Sequence, residues 1–176
     1  MRNLYNYPLG DRYPEEFPMI VEIPKDSRNK YEYDAEHDVF KLDRVLSSPL
    51  HYVAEYGFVP RTLAGDGDPV DVLAPMEEHT FTGCIIDVRP VGILRMEDEK
   101  GEDFKILAVP AGDRRYSEVT KLEDITKHLL LEIEHFFGVY KELDGLYPSI
   151  KGWGDENEAR EYVTKCHENF LRQKEL

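Results

Sequence analysis

Cysteine is scarce in this sequence, with only Cys84 and Cys166 among 176 residues. The two lie far apart and form no C-x-x-C pair, so the sequence predicts neither a thiolate metal site nor a disulfide framework. A reducing compartment is the simplest setting for such a chain. The segment before Phe17 is polar, is interrupted by Pro8 and Pro14, and lacks the apolar stretch of a signal peptide. We therefore expect a cytoplasmic protein.

Long apolar runs and an excess of basic residues are also missing. No stretch approaches the roughly 20 apolar residues of a transmembrane helix. Acidic residues outnumber basic ones 36 to 22, and the formal net charge of −14 repels nucleic acid and anionic membranes, so neither is an expected partner. Apolar residues still make up 41% of the chain, enough to form a core, and we expect one domain over residues 1–176.

Several catalytic signatures are absent from the sequence. There is no G-x-S-x-G and no G-x-x-x-x-G-K-[ST], which excludes a serine-hydrolase elbow and a P-loop of the usual kind. The segment Gly65-Asp66-Gly67 does not continue into the dinucleotide-binding pattern G-x-G-x-x-G, and no histidine pair forms H-E-x-x-H.

Short apolar or alternating runs fill the first two thirds of the chain and predict strands. Turn signals such as Asp66-Gly67-Asp68-Pro69 and Thr82-Gly83 separate them. The predicted strands span residues 19–23, 30–34, 39–46, 70–74, 84–94 and 104–109. Short strands at this spacing indicate a small β-barrel.

The last third of the chain changes to a helical period. Apolar residues predict an amphipathic helix over about 121–142. A second helix is predicted after Trp153, with Asp155 and Glu158 as a capping box and Cys166 on its buried stripe. The sequence therefore predicts a mainly β fold, a barrel with C-terminal helices packed on it.

Three carboxylates stand within six residues at the start of an apolar strand, at Asp66, Asp68 and Asp71. Like charges this close repel each other unless something positive neutralises them. Oxygen-only ligands suit hard cations such as magnesium or calcium, whereas the alternative is an ordinary Asp-Gly turn. An EF-hand loop fits badly, because Val70 stands where a side-chain ligand is needed and Asp71 where glycine is needed.

A second acidic run spans residues 97–103 and is followed by Lys105. On its own the run is typical of a solvated hairpin turn. Asp103 and Lys105 share one face of the next predicted strand. If that strand lies beside the one that carries Asp71, two sets of carboxylates converge and could hold several metal ions, as phosphoryl-transfer hydrolases require.

Cationic and phenolic residues accompany these acids. Arg44 shares a predicted strand face with Phe40 and Leu42, and a guanidinium on an apolar face needs an anionic partner, either a carboxylate or a phosphate. Tyr140 and Lys141 end the first predicted helix. The Tyr140 ring either packs in the core or donates a hydrogen bond to a ligand.

These residues together resemble the family I soluble inorganic pyrophosphatases of the prokaryotic type. The most specific match is the segment Asp66-Gly67-Asp68-Pro69-Val70-Asp71-Val72-Leu73. Further matches follow in the family's order from about Val21 to Trp153, at Glu22-Ile23-Pro24, Lys30-Tyr31-Glu32, Asp43-Arg44, Tyr52, Tyr56-Gly57, Asp98-Glu99, Gly101-Glu102-Asp103, Lys105, His135-Phe136-Phe137 and Tyr140-Lys141. The resemblance implies a five-stranded barrel of the OB type with flanking helices, hydrolysis of pyrophosphate to two phosphates, and usually a homohexamer.

The resemblance also implies a role for each matching residue. It implies several Mg²⁺ ions in each active site, replaceable by other divalent cations, with Asp66, Asp71, Asp98 and Asp103 as metal ligands. Asp68 resembles the group that takes a proton from the attacking water. The residues that resemble the phosphate-binding set are Lys30, Arg44, Tyr56, Lys105, Tyr140 and Lys141. Glu22, Glu32 and Tyr52 match residues that line the site.

The chain departs from the family's pattern at two places. The family often has Tyr-Pro-x-Asn-Tyr-Gly where residues 52–57 carry Val53 and Glu55, and we expect Glu55 to add a charge near the site. The stretch 143–151 lacks a basic Gly-Lys segment. For assembly, His135 and Glu142 are expected on one face of the first helix.

Two other functions remain open at this point. A non-catalytic cation-binding barrel explains the acids but not the accompanying Lys30, Lys105 and Lys141. Another phosphoanhydride hydrolase, acting on nucleotides, explains both.

Overall fold

Nine β-strands and two α-helices form the regular structure of residues 3–174, which a computed structural model describes. Residues 1–2 and 175–176 of the predicted domain lie outside the described part. The strands are β1 (Phe17–Ile23), β2 (Asn29–Asp34), β3 (Val39–Val45), β4 (Glu55–Phe58), β5 (Asp71–Ala74), β6 (Ile85–Asp98), β7 (Gly101–Glu102), β8 (Lys105–Pro110) and β9 (Ser149–Gly154). The helices are α1 (Lys127–Val139) and α2 (Glu156–Lys174).

Five of these strands close into a ring. β1 pairs with β4, β4 with β5, β5 with β8, β8 with β6, and β6 returns to β1. Only the β5–β8 pairing in this ring is parallel. The expected five-stranded barrel with flanking helices is therefore confirmed. β2 and β3 form a separate hairpin. β7 and β9 each pair antiparallel with β6, outside the ring.

The central strands are apolar on both faces because each face is covered. Successive residues of β8 enter different clusters: Ile106 packs in the cluster that contains Cys166 of α2, and Leu107 packs in the one that contains Phe137 of α1. All four are buried. The prediction that Cys166 is a core thiol is confirmed.

One seam of the ring depends on Gly57. A Cβ atom at this position of β4 would lie 1.9 Å from the carbonyl oxygen of Ile20 on β1. The two backbones approach so closely that only glycine fits there. This contact fixes β4, and with it the neighbouring Tyr56.

Some predicted elements differ from the observed ones. Helix α1 begins at Lys127 and ends at Val139, because residues 122–124 and 142–144 form separate 3₁₀ turns. Glu142 therefore does not share a helix face with His135, and that expectation was wrong. Strands β4, β7 and β9 were not predicted.

The start of α2 is capped in a simpler way than expected. The Asp155 Oδ1 atom accepts hydrogen bonds from the backbone N–H groups of Asn157 (3.0 Å) and Glu158 (2.9 Å). The Glu158 carboxylate pairs with Arg95 of β6, so the prediction of a reciprocal capping box was only half correct. This pairing ties α2 to the barrel.

Within residues 3–174, neither helix has both the length and the apolar character that crossing a membrane requires.

Candidate active site

A cavity of about 470 Å³ collects most of the residues singled out in the sequence. Its predicted acidic members are Glu22, Glu32, Asp66, Asp68, Asp71, Asp98 and Asp103. Its predicted cationic and phenolic members are Lys30, Arg44, Tyr56, Lys105, Tyr140 and Lys141. These side chains come from the β2–β3 hairpin, from all five strands of the ring, from the loops between strands and from the end of α1. Residues far apart in sequence thus surround one volume.

Lys105 occupies the centre of the charged cluster. β5 and β8 are parallel neighbours with Asp71 opposite Lys105, which is the adjacency that the predicted convergence of carboxylates requires. The Lys105 Nζ atom lies 2.7 Å from Asp71 Oδ2 and 2.7 Å from Asp103 Oδ1. The Tyr56 hydroxyl donates a hydrogen bond of 2.6 Å to the same Asp71 oxygen. The ring of Phe137 lies 5.2 Å from the ammonium and adds a cation–π contact.

Burial and charge act in opposite directions on these groups. Lys105 is 1% exposed, and burial alone would lower its pKa, but the carboxylates of Asp71 and Asp103 raise that pKa above its ordinary value. Burial raises the pKa of Asp103, with Lys105 opposing this effect and Asp71 adding to it. Burial and the nearby carboxylates raise the pKa of Tyr56 well above its usual value. The ammonium and the phenol are therefore protonated near neutral pH.

A second lysine repeats this arrangement beyond α1. The Lys141 Nζ atom lies 3.0 Å from Asp98 Oδ2 and 3.0 Å from Glu99 Oε1. Burial alone would lower the pKa of Lys141, whereas Tyr140 and the two carboxylates raise it. Each buried lysine of the cavity thus bridges two acids.

The β2–β3 hairpin carries the more exposed cations. Lys30 pairs with Arg44 across the hairpin and Tyr31 pairs with Leu42, which leaves Asp43 as the extra residue of a β-bulge. The bulge interrupts the alternation of side chains along β3. The expectation that Arg44 shares an apolar face was wrong, since Leu42 is 55% exposed and the Arg44 side chain 42% exposed. Asp43 Oδ2 lies 3.4 Å from both Lys30 and Arg44.

The loop before β5 presents Asp66 and Asp68. Asp66 Oδ1 accepts a hydrogen bond of 3.1 Å from the Asp68 backbone N–H, and Gly67 between them has a φ of 94°, which favours glycine. Both carboxylates are exposed. Partial burial, then the charge of Asp66, raises the pKa of Asp68. The loop is anchored by a hydrogen bond of 2.9 Å from the Val70 backbone N–H to the buried Thr62 hydroxyl.

Glu22 lies on β1 at the wall of the cavity. Its Oε1 atom accepts a hydrogen bond of 2.8 Å from the Tyr33 backbone N–H. Burial, assisted by the charge of Asp71, raises the pKa of Glu22 to about 8.

Two residues expected near the site lie elsewhere. Tyr52 is 2% exposed and packs behind Tyr56, with its ring centroid 5.3 Å from that ring and 4.8 Å from Phe136, so it is a core residue and not a lining one. Glu55 precedes Tyr56 on β4 and points to the opposite face. Its buried carboxylate accepts hydrogen bonds from the Thr80 N–H (2.8 Å) and hydroxyl (2.7 Å), away from the cavity.

Some residues that line the cavity lie outside the sequence motifs. They include Tyr5, Tyr33, Phe58 and Lys100. The alternation along β2 places Tyr33 opposite Lys30 and Glu32, and this pattern favours core packing. No local signal marks Tyr5, because only the tertiary fold brings it to the cavity.

The donor set suits a hard divalent cation, because the carboxylates of Asp66, Asp71, Asp98 and Asp103 offer only oxygen. Within residues 3–174, no group of three or more Asp, Glu, His or Cys side chains is arranged so that it could hold a metal ion without rearrangement. Three of the four acids instead contact Lys105 or Lys141. Each of these contacts uses one carboxylate oxygen, so a cation bound at the other oxygen would compete with the lysine for the charge of the same acid.

The comparisons with known proteins agree with the motifs. The family described as inorganic pyrophosphatase matches residues 19–171. An inorganic pyrophosphatase of Methanosarcina mazei is 47% identical over 158 residues, covering 90% of this chain and 94% of that protein. An inorganic pyrophosphatase of Thermus thermophilus is 43% identical over 169 residues, covering 94% of this chain and 97% of that protein.

A solved structure shares the fold as well. The crystal structure of inorganic pyrophosphatase from Thermus thermophilus superimposes with a TM-score of 0.94 at 42% identity, covering 97% of this chain and 99% of that chain. A match of this extent, in sequence and in fold alike, shows that the chain belongs to the inorganic pyrophosphatase family.

Proposed function

We propose that the cavity described above is the centre in which this chain hydrolyses inorganic pyrophosphate to two phosphates, with Mg²⁺ as the divalent cofactor. The observation that supports this most is the position of buried Lys105 between Asp71 and Asp103. Pyrophosphate is a polyanion, so a site of carboxylates alone would repel it, and a site of cations alone could not hold magnesium. This cavity supplies both kinds of charge.

Asp66, Asp71, Asp98 and Asp103 would hold several Mg²⁺ ions. Bound divalent cations lower the pKa of coordinated water and screen the charge on phosphoryl oxygens. Glu22 and Glu32 line the same volume and supply further acceptors. The fit rests on oxygen donors only, which also allows other divalent cations to replace magnesium.

The cationic and phenolic residues would bind the phosphates. Ammonium and guanidinium groups offset the negative charge that builds up on the leaving phosphate. The residues in this set are Lys30, Arg44, Tyr56, Lys105, Tyr140 and Lys141. The raised pKa values of Tyr56 and Tyr140 keep both phenols protonated, so Tyr140 can donate a hydrogen bond to a phosphate oxygen, and Tyr56 can do so when its hydroxyl turns away from Asp71.

Asp68 would accept the proton of the attacking water. Its carboxylate is exposed to the cavity and, unlike those of Asp71 and Asp103, is not bridged by Lys105. Its raised pKa brings it closer to neutral pH, which suits a general base.

A phosphate-release assay tests the proposed function. Purified protein should release phosphate from pyrophosphate with Mg²⁺, should do so far more slowly from ATP, and should stop in excess chelator. Activity that persists in chelator would contradict the metal dependence. Faster turnover of ATP would instead favour a nucleotide hydrolase.

Replacing Asp68 by asparagine tests the proton-acceptor role. Asp68→Asn keeps the shape of the loop but removes the basic oxygen, so turnover should fall by about 10²–10⁴-fold. Magnesium affinity, measured by calorimetric titration, should change little. Part of the lost rate should return as the pH rises. A defect that vanishes at high magnesium would show that Asp68 serves mainly as a metal ligand.

Replacing Lys105 by methionine tests the competition between this ammonium and the metal for the carboxylates. Lys105→Met leaves Asp71 and Asp103 close together without a counter-charge. The metal-free protein should lose about 3–5 kcal/mol of unfolding free energy, the usual cost of breaking a buried ion pair. Affinity for Mg²⁺, measured by calorimetry, should rise, and added Mg²⁺ should restore much of the stability.

The matched control for this variant is Lys127→Met, at an exposed position where α1 begins. Lys127→Met should change neither the unfolding free energy of the metal-free protein nor its affinity for Mg²⁺. Weaker Mg²⁺ binding by Lys105→Met would contradict the proposed competition.

We further propose a cytoplasmic homohexamer. The free state of Cys84 and Cys166 supports the location. Exposed apolar side chains on and after α1, at Leu131 (59%), Leu143 (68%) and Tyr147 (74%), support burial between subunits. Light scattering at micromolar concentration should give six times the chain mass of 20.5 kDa, and a monomeric mass would exclude this assembly.

A further inference from the structure

The segment before β1 brings one side chain, Tyr5, to the wall of the proposed catalytic cavity. Tyr5 lies in a short 3₁₀ turn, residues 4–6, that is capped by Asn3, whose Oδ1 atom accepts 2.9 Å from the Tyr5 N–H. The Tyr5 carbonyl accepts a hydrogen bond of 2.8 Å from the backbone of Arg61, in the connection between β4 and β5. That same connection carries Asp66 and Asp68.

The orientation of the Tyr5 ring is fixed by its aromatic neighbours. Its centroid lies 5.3 Å from that of Tyr33 and 5.1 Å from that of Phe58, with interplanar angles of 76° and 80°. Both are edge-to-face contacts, the favourable geometry for such pairs. The Leu4 N–H donates 2.9 Å to the Tyr33 hydroxyl and holds the turn in place. The Tyr5 ring is therefore a fixed part of the cavity wall.

Burial and nearby carboxylates keep the Tyr5 phenol neutral. Burial, and then the carboxylates of Glu22 and Asp68, raise the pKa of the Tyr5 phenol to about 12, so the phenol stays neutral. The Tyr5 carbonyl is hydrogen-bonded to the connection that carries Asp68, and both side chains line the cavity. Tyr5 therefore borders the end of the cavity that contains Asp68.

The chemistry at this end follows from the proposed function, on which the inference rests. Water attacks one phosphorus atom, forms a new P–O bond and gives its proton to Asp68. The bridging P–O bond breaks, and its electron pair leaves with the second phosphate. Attacking and leaving oxygens lie roughly in line, so the other three oxygens of the attacked phosphoryl group point sideways to the walls.

A substituent on one of those three oxygens would need room at the walls beside Asp68. Inorganic pyrophosphate has none, and a terminal phosphoryl group of an ester has none either. An esterified phosphoryl group would carry an organic chain towards these walls, one of which is the fixed ring of Tyr5.

We propose that Tyr5 is a specificity-determining residue that confines attack to a terminal, unsubstituted phosphoryl group and excludes attack at an esterified one. The substrate class is inorganic pyrophosphate together with, at lower rates, the terminal phosphoryl groups of its monoesters. The ring, and not its hydroxyl, provides this selectivity.

ADP hydrolysis in water labelled with heavy oxygen tests the proposal. Attack at the terminal phosphoryl group puts the label in phosphate, and attack at the esterified one puts it in AMP, although the products are otherwise the same. Tyr5→Ala should raise the rate of AMP labelling by at least about tenfold, the lower end of the discrimination that one methylene group gives in a binding pocket. Tyr5→Phe keeps the ring and should label AMP no faster than the unaltered chain.

Tyr7→Ala is the matched control, because Tyr7 packs on the same aromatic cluster without lining the cavity. It should leave both pyrophosphate turnover and the labelling pattern unchanged. If Tyr5→Ala loses its fold by circular dichroism, Tyr5→Leu replaces it, since leucine keeps an apolar contact with Tyr33 and Phe58 but removes the ring.

Pyrophosphate turnover by each protein separates the possible outcomes. No labelled AMP from a folded Tyr5 variant that still hydrolyses pyrophosphate, including no ADP hydrolysis at all, overturns the proposal. Equal AMP labelling by Tyr7→Ala overturns it too, because general loosening would then be the cause. Failure of the unaltered chain to hydrolyse pyrophosphate refutes the proposed function instead.

Discussion

The mutual repulsion of carboxylates is the constraint around which this molecule is organised. A chain with a formal charge of −14 gathers acids from several loops and strands into one cavity. Two buried ammonium groups make this possible, because Lys105 and Lys141 each stand between two acids. Without such counter-charges, the desolvated carboxylates would take up protons or move apart.

The barrel supplies the precision that this charge arrangement needs. The parallel pairing of β5 with β8 sets Asp71 opposite Lys105, and the close approach of β1 and β4 at Gly57 fixes Tyr56 beside them. The residues next to these groups on β4, β5 and β8 are buried. Asp68, by contrast, is carried by an exposed loop held by a few backbone bonds. Tyr56 and Lys105, which we propose to bind phosphate, are thus held rigidly, whereas the loop that carries Asp68 is more adaptable.

Local signals in the sequence were enough to find most of the fold and most of the residues that line the cavity. Strands with clear apolar runs, such as β1, β5 and β8, have the predicted position within a few residues. β4 and β9 were missed because both contain glycine, which weakens a strand pattern. The resemblance identified acids and lysines that lie in short sequence motifs, and these residues line one cavity.

The errors arose where position depends on tertiary pairing. The bulge at Asp43 breaks the alternation from which the environment of Arg44 was inferred. Glu55 and Tyr52 are adjacent or near to Tyr56 in sequence, yet one turns to the opposite face of β4 and the other packs behind the ring. Tyr5 reaches the cavity only through contacts with residues far along the chain, which a single sequence does not reveal.

Strand β6 has a consequence for the order in which the molecule can form. It spans 14 residues and pairs with β1, β7, β8 and β9, so it joins the first strand of the chain to the last. The ring cannot close until both β6 and β8 are available, and most of its pairings connect distant parts of the chain. Such non-local topologies fold slowly, because loop-closure entropy is lost before the contacts form. The charged cavity therefore needs the complete ring, because its side chains come from all five ring strands.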